Sequence, residues 1–273
     1  MSKASSSRVP ALRLGVVDYL NARPLWYALR GNPRFELVPA IPSQLAFMLK
    51  SGEIQAGLLP VIEYFRNPGV RLVAGCGVAS RGPVSSVKVF LRVPVKDIRR
   101  VRLDAASRTS QALARIVLKA RFRLEPEFIE QAVEPAELST MAEDAALVIG
   151  DPCMKANALH PRMPALDLGE EWKRITGLPF VYAGWLVRPG LDTAQGRELA
   201  QHLRAASEQG MGLVGEIARE SAAQGFKPAD VERYLRQNIH YHIGEPELAG
   251  LVDFGRRAAH MDLCGFRELD VIS

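Results

Sequence analysis

The sequence predicts an α/β protein of two lobes, with mixed, mainly parallel sheets and a hinge of two crossing strands. Three observations predict it. Short apolar stretches alternate with amphipathic ones through the first ninety residues. The same alternation restarts after residue 100 and runs to about 150. Two longer apolar stretches, SSVKVFLRV (85–93) and FVYAGWLV (180–187), bracket that second segment. Alternation of this kind gives parallel strands covered by helices. The bracketing assigns 1–91 plus 186–273 to lobe one and 92–185 to lobe two, with a ligand cleft between them.

Each element follows from local chemistry. LRLGVV (12–17) is an apolar strand, and PLWYALR (24–30) reads as a helix with proline at its first position. FELVPA (35–40) is extended. SQLAFMLKSG (43–52) reads as a helix with Ser43 as N-cap and glycine just past its end. AGLLP (56–60), VIEYFRN (61–67) and RLVAG (71–75) continue as strand, short helix and strand. In the second segment VRLDA (101–105) is a strand. TSQALARIVLKARF (109–122) is a helix with Ala112, Leu113, Ile116, Val117 and Ala120 on one apolar face. EFIEQ (127–131) is extended, EPAELSTMAE (134–143) helical, and ALVIG (146–150) a strand. DPCMKANAL (151–159) follows as a helix with proline at its first position. Beyond 190 the chain is helical. Interior glycines in 193–224 allow one bent helix or two. PADVERYLRQNI (228–239) and EPELAGLVDFGRRAAHM (245–261) follow, each with a proline near its start.

Of the 273 residues, 48% are hydrophobic and 24% charged, which is globular composition without a low-complexity linker. The net charge of +5 suits an anionic ligand but is too small and scattered for nucleic acid. The basic runs KDIRRVR (96–102) and KARFR (119–123) read as solvated faces. No apolar stretch has signal-peptide or membrane-span length, so a soluble cytoplasmic protein is expected. Cys76, Cys153 and Cys264 are far apart and form no CxxC, so reduced thiols are expected. His240 and His242 lack a third ligand at metal spacing, and no metal is expected. The long C-terminal helices suit packing on lobe one or pairing two chains, which leaves monomer and homodimer both open.

The strand-to-helix junctions carry an unusual share of small polar residues. Asn21 stands in GVVDYLNARPL (15–25), Ser43 in IPSQLA, and Ser80, Gly82, Ser85 and Ser86 in SRGPVSSV (80–87). Ser107, Arg108, Thr109 and Ser110 follow the strand at 101–105, and Gly150 and Asp151 follow the strand at 146–150. Helix N-termini have unpaired N–H donors and a partial positive charge, so they receive carboxylates or phosphates. None of these loops is a GxxxxGK[ST] or GxGxxG phosphate cradle. The pattern implies a small organic anion with several acceptor oxygens, held mostly by neutral donors. Ser43 and Asp151 also fit as plain N-caps, and Asn21 as a plain turn residue.

The same stretches resemble the chorismate dehydratase family of the futalosine route to menaquinone. The resemblance runs in order through GVVDYLNARPL, PSQLAFMLKSGEIQAGLLPVIEY, GVASRGPVSSVKVF, DAASRTSQALARIVL, VIGD, LPFVYAGW and YLRQNIHYHIGEPELAGL. It departs at Gln55, where the family has aspartate, and the first ten residues match nothing. The resemblance implies a fold like that of type II periplasmic binding proteins. It implies loss of water from the dicarboxylate chorismate to give 3-[(1-carboxyvinyl)oxy]benzoate, a lyase reaction without metal or redox cofactor. It suggests Asn21 and Ser86 as donors that orient the substrate's own enolpyruvyl carboxylate as the base, with Asp151 as the rival base. Ser43, Ser80, Gly82, Ser85, Ser107, Arg108, Thr109, Ser110 and Gly150 then bind substrate.

Three other functions share this pattern. The sister enzyme acting on cyclic dehypoxanthinyl futalosine carries a His-Glu pair where this chain has Gly150-Asp151. A non-catalytic anion-binding protein has the same fold, and so does a regulator's effector domain, but no helix-turn-helix precedes the first strand.

Overall fold

A computed structural model describes residues 11–104 and 108–273. The elements run β1 (Leu12–Val16), β2 (Phe35–Pro39), α1 (Pro42–Ser51), β3 (Ala56–Pro60), α2 (Ile62–Arg66), β4 (Arg71–Ser80) and β5 (Val87–Leu91). Then come β6 (Arg100–Leu103), α3 (Arg108–Phe122), β7 (Glu127–Glu130), β8 (Ala145–Ile149), α4 (Gly150–Leu159), β9 (Ala165–Asp167) and α5 (Leu168–Thr176). The chain ends with β10 (Phe180–Val187), α6 (Thr193–Gly212), α7 (Val214–Glu220), α8 (Pro228–Gln237), α9 (Glu245–His260) and β11 (Val271–Ile272).

These strands form two mixed sheets. The six-stranded sheet has the order β11-β4-β10-β3-β1-β2, and the five-stranded sheet β7-β6-β8-β5-β9. In the first, β1 is parallel to β2 and β3, while β10 runs antiparallel between β3 and β4. In the second, β6 is parallel to β7 and β8, while β5 runs antiparallel between β8 and β9. Each sheet therefore has a reversed strand inside it, and the reversal has a positional consequence. Val87, the first residue of β5, pairs with Ile149, the last of β8. Phe180, the first residue of β10, pairs with Ser80, the last of β4. The loops that precede the reversed strands thus arrive at the edge where the parallel strands end, the edge that binds ligands in open α/β sheets.

The two apolar stretches expected to cross between lobes each belong to one sheet. Residues 85–93 shorten to β5, inside the five-stranded sheet, and β10 lies inside the six-stranded one. The chain passes between sheets through 81–86 and through α5 with its flanks. Neither β9 nor α5 was expected. β9 has only three residues, and Asp167 caps α5 by accepting from the Gly169 and Glu170 N–H groups at 3.1 and 3.2 Å.

Other local departures have visible causes. Residues 24–30 form two 3₁₀ turns, Arg23–Leu25 and Tyr27–Leu29, broken at Trp26, whose indole N–H reaches back to the Val17 carbonyl at 3.1 Å. Residues 134–143 give only a 3₁₀ turn at Pro135–Glu137, after which the Thr140 and Met141 N–H groups both donate to the Glu137 carbonyl at 2.9 Å. Ser43 is not the cap of α1. Ile41 occupies that place and Pro42 opens the helix. Likewise α4 starts at Gly150, so Pro152 is its third residue, where a missing N–H costs nothing, and Asp151 is not its cap. The 193–224 segment divides into α6 and α7 at Leu213. A Cβ on Gly210 would overlap the Pro24 carbonyl, so α6 approaches the Arg23–Leu25 turn backbone to backbone. The core beneath includes Trp172, Phe180 and Phe254, stacked edge to face.

Candidate active site

A cavity of about 70 Å³ lies between the two sheets. From the six-stranded side it is walled by Val17, Tyr19, Asn21, Ala22, Pro42, Leu58, Pro60, Val78, Tyr182 and Ala183. From the other side come Val84, Val87, Thr109, Ser110, Ile149 and Gly150. Three of these positions are helix starts: Pro42 opens α1, Thr109 and Ser110 lie in the first turn of α3, and Gly150 opens α4. Among the described residues no charged side chain lines the wall. The donors that the wall itself offers an anion are therefore neutral side chains and the N–H groups of helix ends.

The turn Leu20–Ala22 presents Asn21. Ala22 N–H donates to the Tyr19 carbonyl at 2.9 Å, Arg23 N–H to the same oxygen at 3.2 Å, and the Arg23 guanidinium pairs with Asp18 at 2.9 Å. Leu20 is fully buried. Its N–H donates across the cavity to Asp151, at 3.1 and 3.4 Å from the two carboxylate oxygens. Asp151 is absent from the wall. Burial, outweighing the Leu20 N–H and the Arg23 charge, pushes its carboxyl up to about 6. The Tyr19 ring lies 3.7 Å from where a Gly150 Cβ would sit, and burial first, then Asp104 and Asp151, raises the Tyr19 phenol. Gly150 has φ +58°, a conformation that only glycine adopts without strain, and its N–H donates to the Ser86 carbonyl at 2.7 Å.

Ser86 itself is fully buried behind the wall, where the Tyr234 hydroxyl of α8 donates to its Oγ at 2.6 Å. Burial raises the Tyr234 phenol strongly, with Ser86 and, least of all, Asn21 opposing. Ser85 has φ +64°, and its polar groups are engaged within the protein. Asp167 accepts its N–H at 2.7 Å, Asn157 donates to its carbonyl at 2.9 Å, and Asn238 donates to its hydroxyl at 3.1 Å. The Ser80 hydroxyl donates to the Gly82 carbonyl at 2.9 Å, which leaves its oxygen to accept from Tyr182 at 3.1 Å. Ser80 and Gly82 thus hold the Tyr182 phenol, whose ring walls the cavity.

At the start of α3, Thr109 Oγ1 accepts the Ile62 N–H at 3.2 Å and so ties α3 to α2. Arg108 turns away to the buried carboxylate of Glu63 at 3.1 Å. Ser107 lies outside the described residues. Ser43 lies apart, against Gln44, Phe47, Met48 and Glu53. Of the expected residues, the cavity wall therefore contains Asn21, Thr109, Ser110 and Gly150, with Ser80, Gly82, Ser85, Ser86 and Asp151 one layer behind. Sequence reasoning missed Tyr19, Tyr182, Tyr234 and Asp167. Tyr19 stands two residues before Asn21, and Tyr182 and Tyr234 stand in the resembling stretches LPFVYAGW and YLRQNI without a role assigned, whereas Asp167 lies in none of them. At the departure Gln55, the side-chain carbonyl accepts the Arg13 N–H at 2.8 Å, which is a strand-pairing role.

Comparison with known proteins now decides the family. The family model described as menaquinone biosynthesis matches residues 12–260. The chain belongs to that family. A chorismate dehydratase of Thermus thermophilus is 33% identical over 258 residues, spanning 88% of this chain and 93% of that one. A second, from Campylobacter jejuni, is 27% identical over 62% of this chain and 64% of that one. Among solved structures, the alkanesulfonate-binding protein SsuA of Xanthomonas axonopodis pv. citri, bound to MOPS, aligns with TM-score 0.70 at 20% identity, over 97% of this chain and 99% of that one. At that identity the likeness establishes the fold alone, a periplasmic-binding-protein-like one. Among the described residues no helix is long and apolar enough to cross a membrane.

Proposed function

We propose that this member of the menaquinone biosynthesis family is a chorismate dehydratase, a hydro-lyase that converts chorismate to 3-[(1-carboxyvinyl)oxy]benzoate and water. The observation that carries this reading is the wall itself. The first turns of α1, α3 and α4 converge with Asn21 on an uncharged cleft, as a dicarboxylate held by neutral donors requires. Identity of 33% to a chorismate dehydratase over 88% of the chain supports the same reaction.

The reaction breaks two bonds on adjacent ring carbons. The C–H bond beside the enolpyruvyl ether gives up its proton. Its electron pair forms the new ring double bond as hydroxide leaves the neighbouring carbon, and the ring becomes aromatic. The substrate's enolpyruvyl carboxylate takes the proton and passes it to the departing hydroxide, so that water leaves and the carboxylate is restored. The chain's part is to hold that carboxylate against the C–H bond, which is worth several kcal/mol when the geometry is right. The Asn21 amide supplies the orienting donors at the wall. Tyr234 holds Ser86 behind the wall. The helix ends receive the ring carboxylate and stabilise charge as it develops.

Incubation of the purified chain with chorismate, followed by mass and ultraviolet analysis, tests the reading. A product one water lighter with an aromatic spectrum is expected. Chorismate recovered unchanged from a folded protein would leave only a binding module, which shares this fold.

A further inference from the structure

We infer that Asp151 is a positioning residue that caps, from the opposite sheet, the turn carrying Asn21. The inference rests on the dehydratase reading for its kinetic part and on geometry alone for its structural part. Leu20 is fully buried, and Asp151 is the acceptor its N–H finds, 131 residues away in sequence. A helical turn leaves its first N–H groups unpaired, and a side-chain oxygen just upstream ordinarily accepts one of them. Residues 20–25 begin such a turn, yet the chain before them, Asp18, spends its carboxylate on Arg23 at 2.9 Å. The cap arrives instead from the head of α4. The two sheets must be together for the bond to exist, so the aim of Asn21 depends on closure. An open cleft leaves Leu20 N–H to water and the turn free to rock.

The same geometry argues against Asp151 as the base. Its oxygens point at a backbone N–H and it is absent from the wall. A general base must reach the proton it takes, directly or through one water.

Two substitutions in the full-length protein separate the roles. Asp151→Ala removes the acceptor, whereas Asp151→Asn restores one, because the amide carbonyl occupies the place of a carboxylate oxygen. A cap gives Asp151→Ala at least tenfold lower kcat with KM changed less, and Asp151→Asn recovers most of that loss. Hydrogen exchange at the Leu20 amide, measured with saturating benzoate product to hold the cleft closed, is faster in Asp151→Ala by at least tenfold and close to wild type in Asp151→Asn. Where Asp151→Ala does not fold, Asp151→Ser, too short to reach Leu20, replaces it. Equal loss of turnover in both variants with Leu20 still protected would make Asp151 a base and overturn the inference. So would unchanged Leu20 exchange in Asp151→Ala. Wild-type protein that leaves chorismate untouched sinks the dehydratase reading instead, and the exchange result still decides the cap.

Discussion

At the scale of single residues, the cleft assigns its chemistry to neutral groups and moves the carboxylate of Asp151 one layer back. Its raised pKa has a consequence for stability. Burial lifts the carboxyl from 3.8 to about 6, with Arg23 and Lys155 opposing and Asp18 assisting. A folded-state pKa above the unfolded value means the native protein holds the proton more tightly. Asp151 therefore favours the fold most below about pH 4, and this contribution fades as pH rises through about 6. Asp151→Asn, which cannot ionise, should gain about 1–3 kcal/mol over wild type between pH 4 and 7. Thermal melts of both proteins across that range check it; a constant difference in Tm would show that Asp151 titrates normally. The position of Asn21 at the cleft was legible because it follows the end of an apolar strand, although the same place suits a plain turn residue. Tyr234 was not, because it reaches Ser86 from 148 positions downstream and YLRQNI entered only as part of the resemblance, with no role for its tyrosine.

At the scale of elements, the turn that carries Asn21 is clamped from two directions. Asp151 holds its front, and α6 presses its back at Gly210 against the Pro24 backbone. Gly210→Ala would force backbone apart, and overpacking of this kind costs about 1–3 kcal/mol. Urea titration should find that loss, together with a lower kcat because Pro24 lies three residues past Asn21. A variant as stable and active as wild type would show that α6 merely lies nearby. Long amphipathic helices such as α3 were legible from one apolar face. The helix starts were misplaced by a residue or two at Ser43 and Asp151, since caps were assigned by residue type, whereas Ile41 and Ile149 hold those places through backbone geometry alone. The α5 segment was missed because its cap, Asp167, also serves Val84 and Ser85 far away in sequence.

At the scale of the whole molecule, alternation of strand and helix was enough to predict a mixed, mainly parallel α/β fold. What alternation cannot reveal is which strand is reversed, since β5 and β10 read as apolar runs like their parallel neighbours. We propose that each sheet with its helices is one lobe and that the lobes close on substrate. The wall draws Asn21 from one sheet and Thr109, Ser110 and Gly150 from the other, so a ligand touching both favours the closed form by differential affinity. Small-angle scattering with saturating benzoate product should give a smaller radius of gyration than free protein. An unchanged radius would mean that the cleft is already shut without ligand.

The central claim is that an amide at the end of β1 directs a substrate carboxylate in a cleft whose described wall is uncharged. The rate of chorismate dehydration by Asn21→Asp tests it most directly. The substitution nearly preserves shape, but it places a negative charge against a carboxylate and removes both amide donors. A folded protein with turnover reduced at least about a hundredfold is expected, the loss that follows when a transition-state donor disappears. Near-normal turnover in Asn21→Asp would contradict it and return Asn21 to the ordinary turn formers.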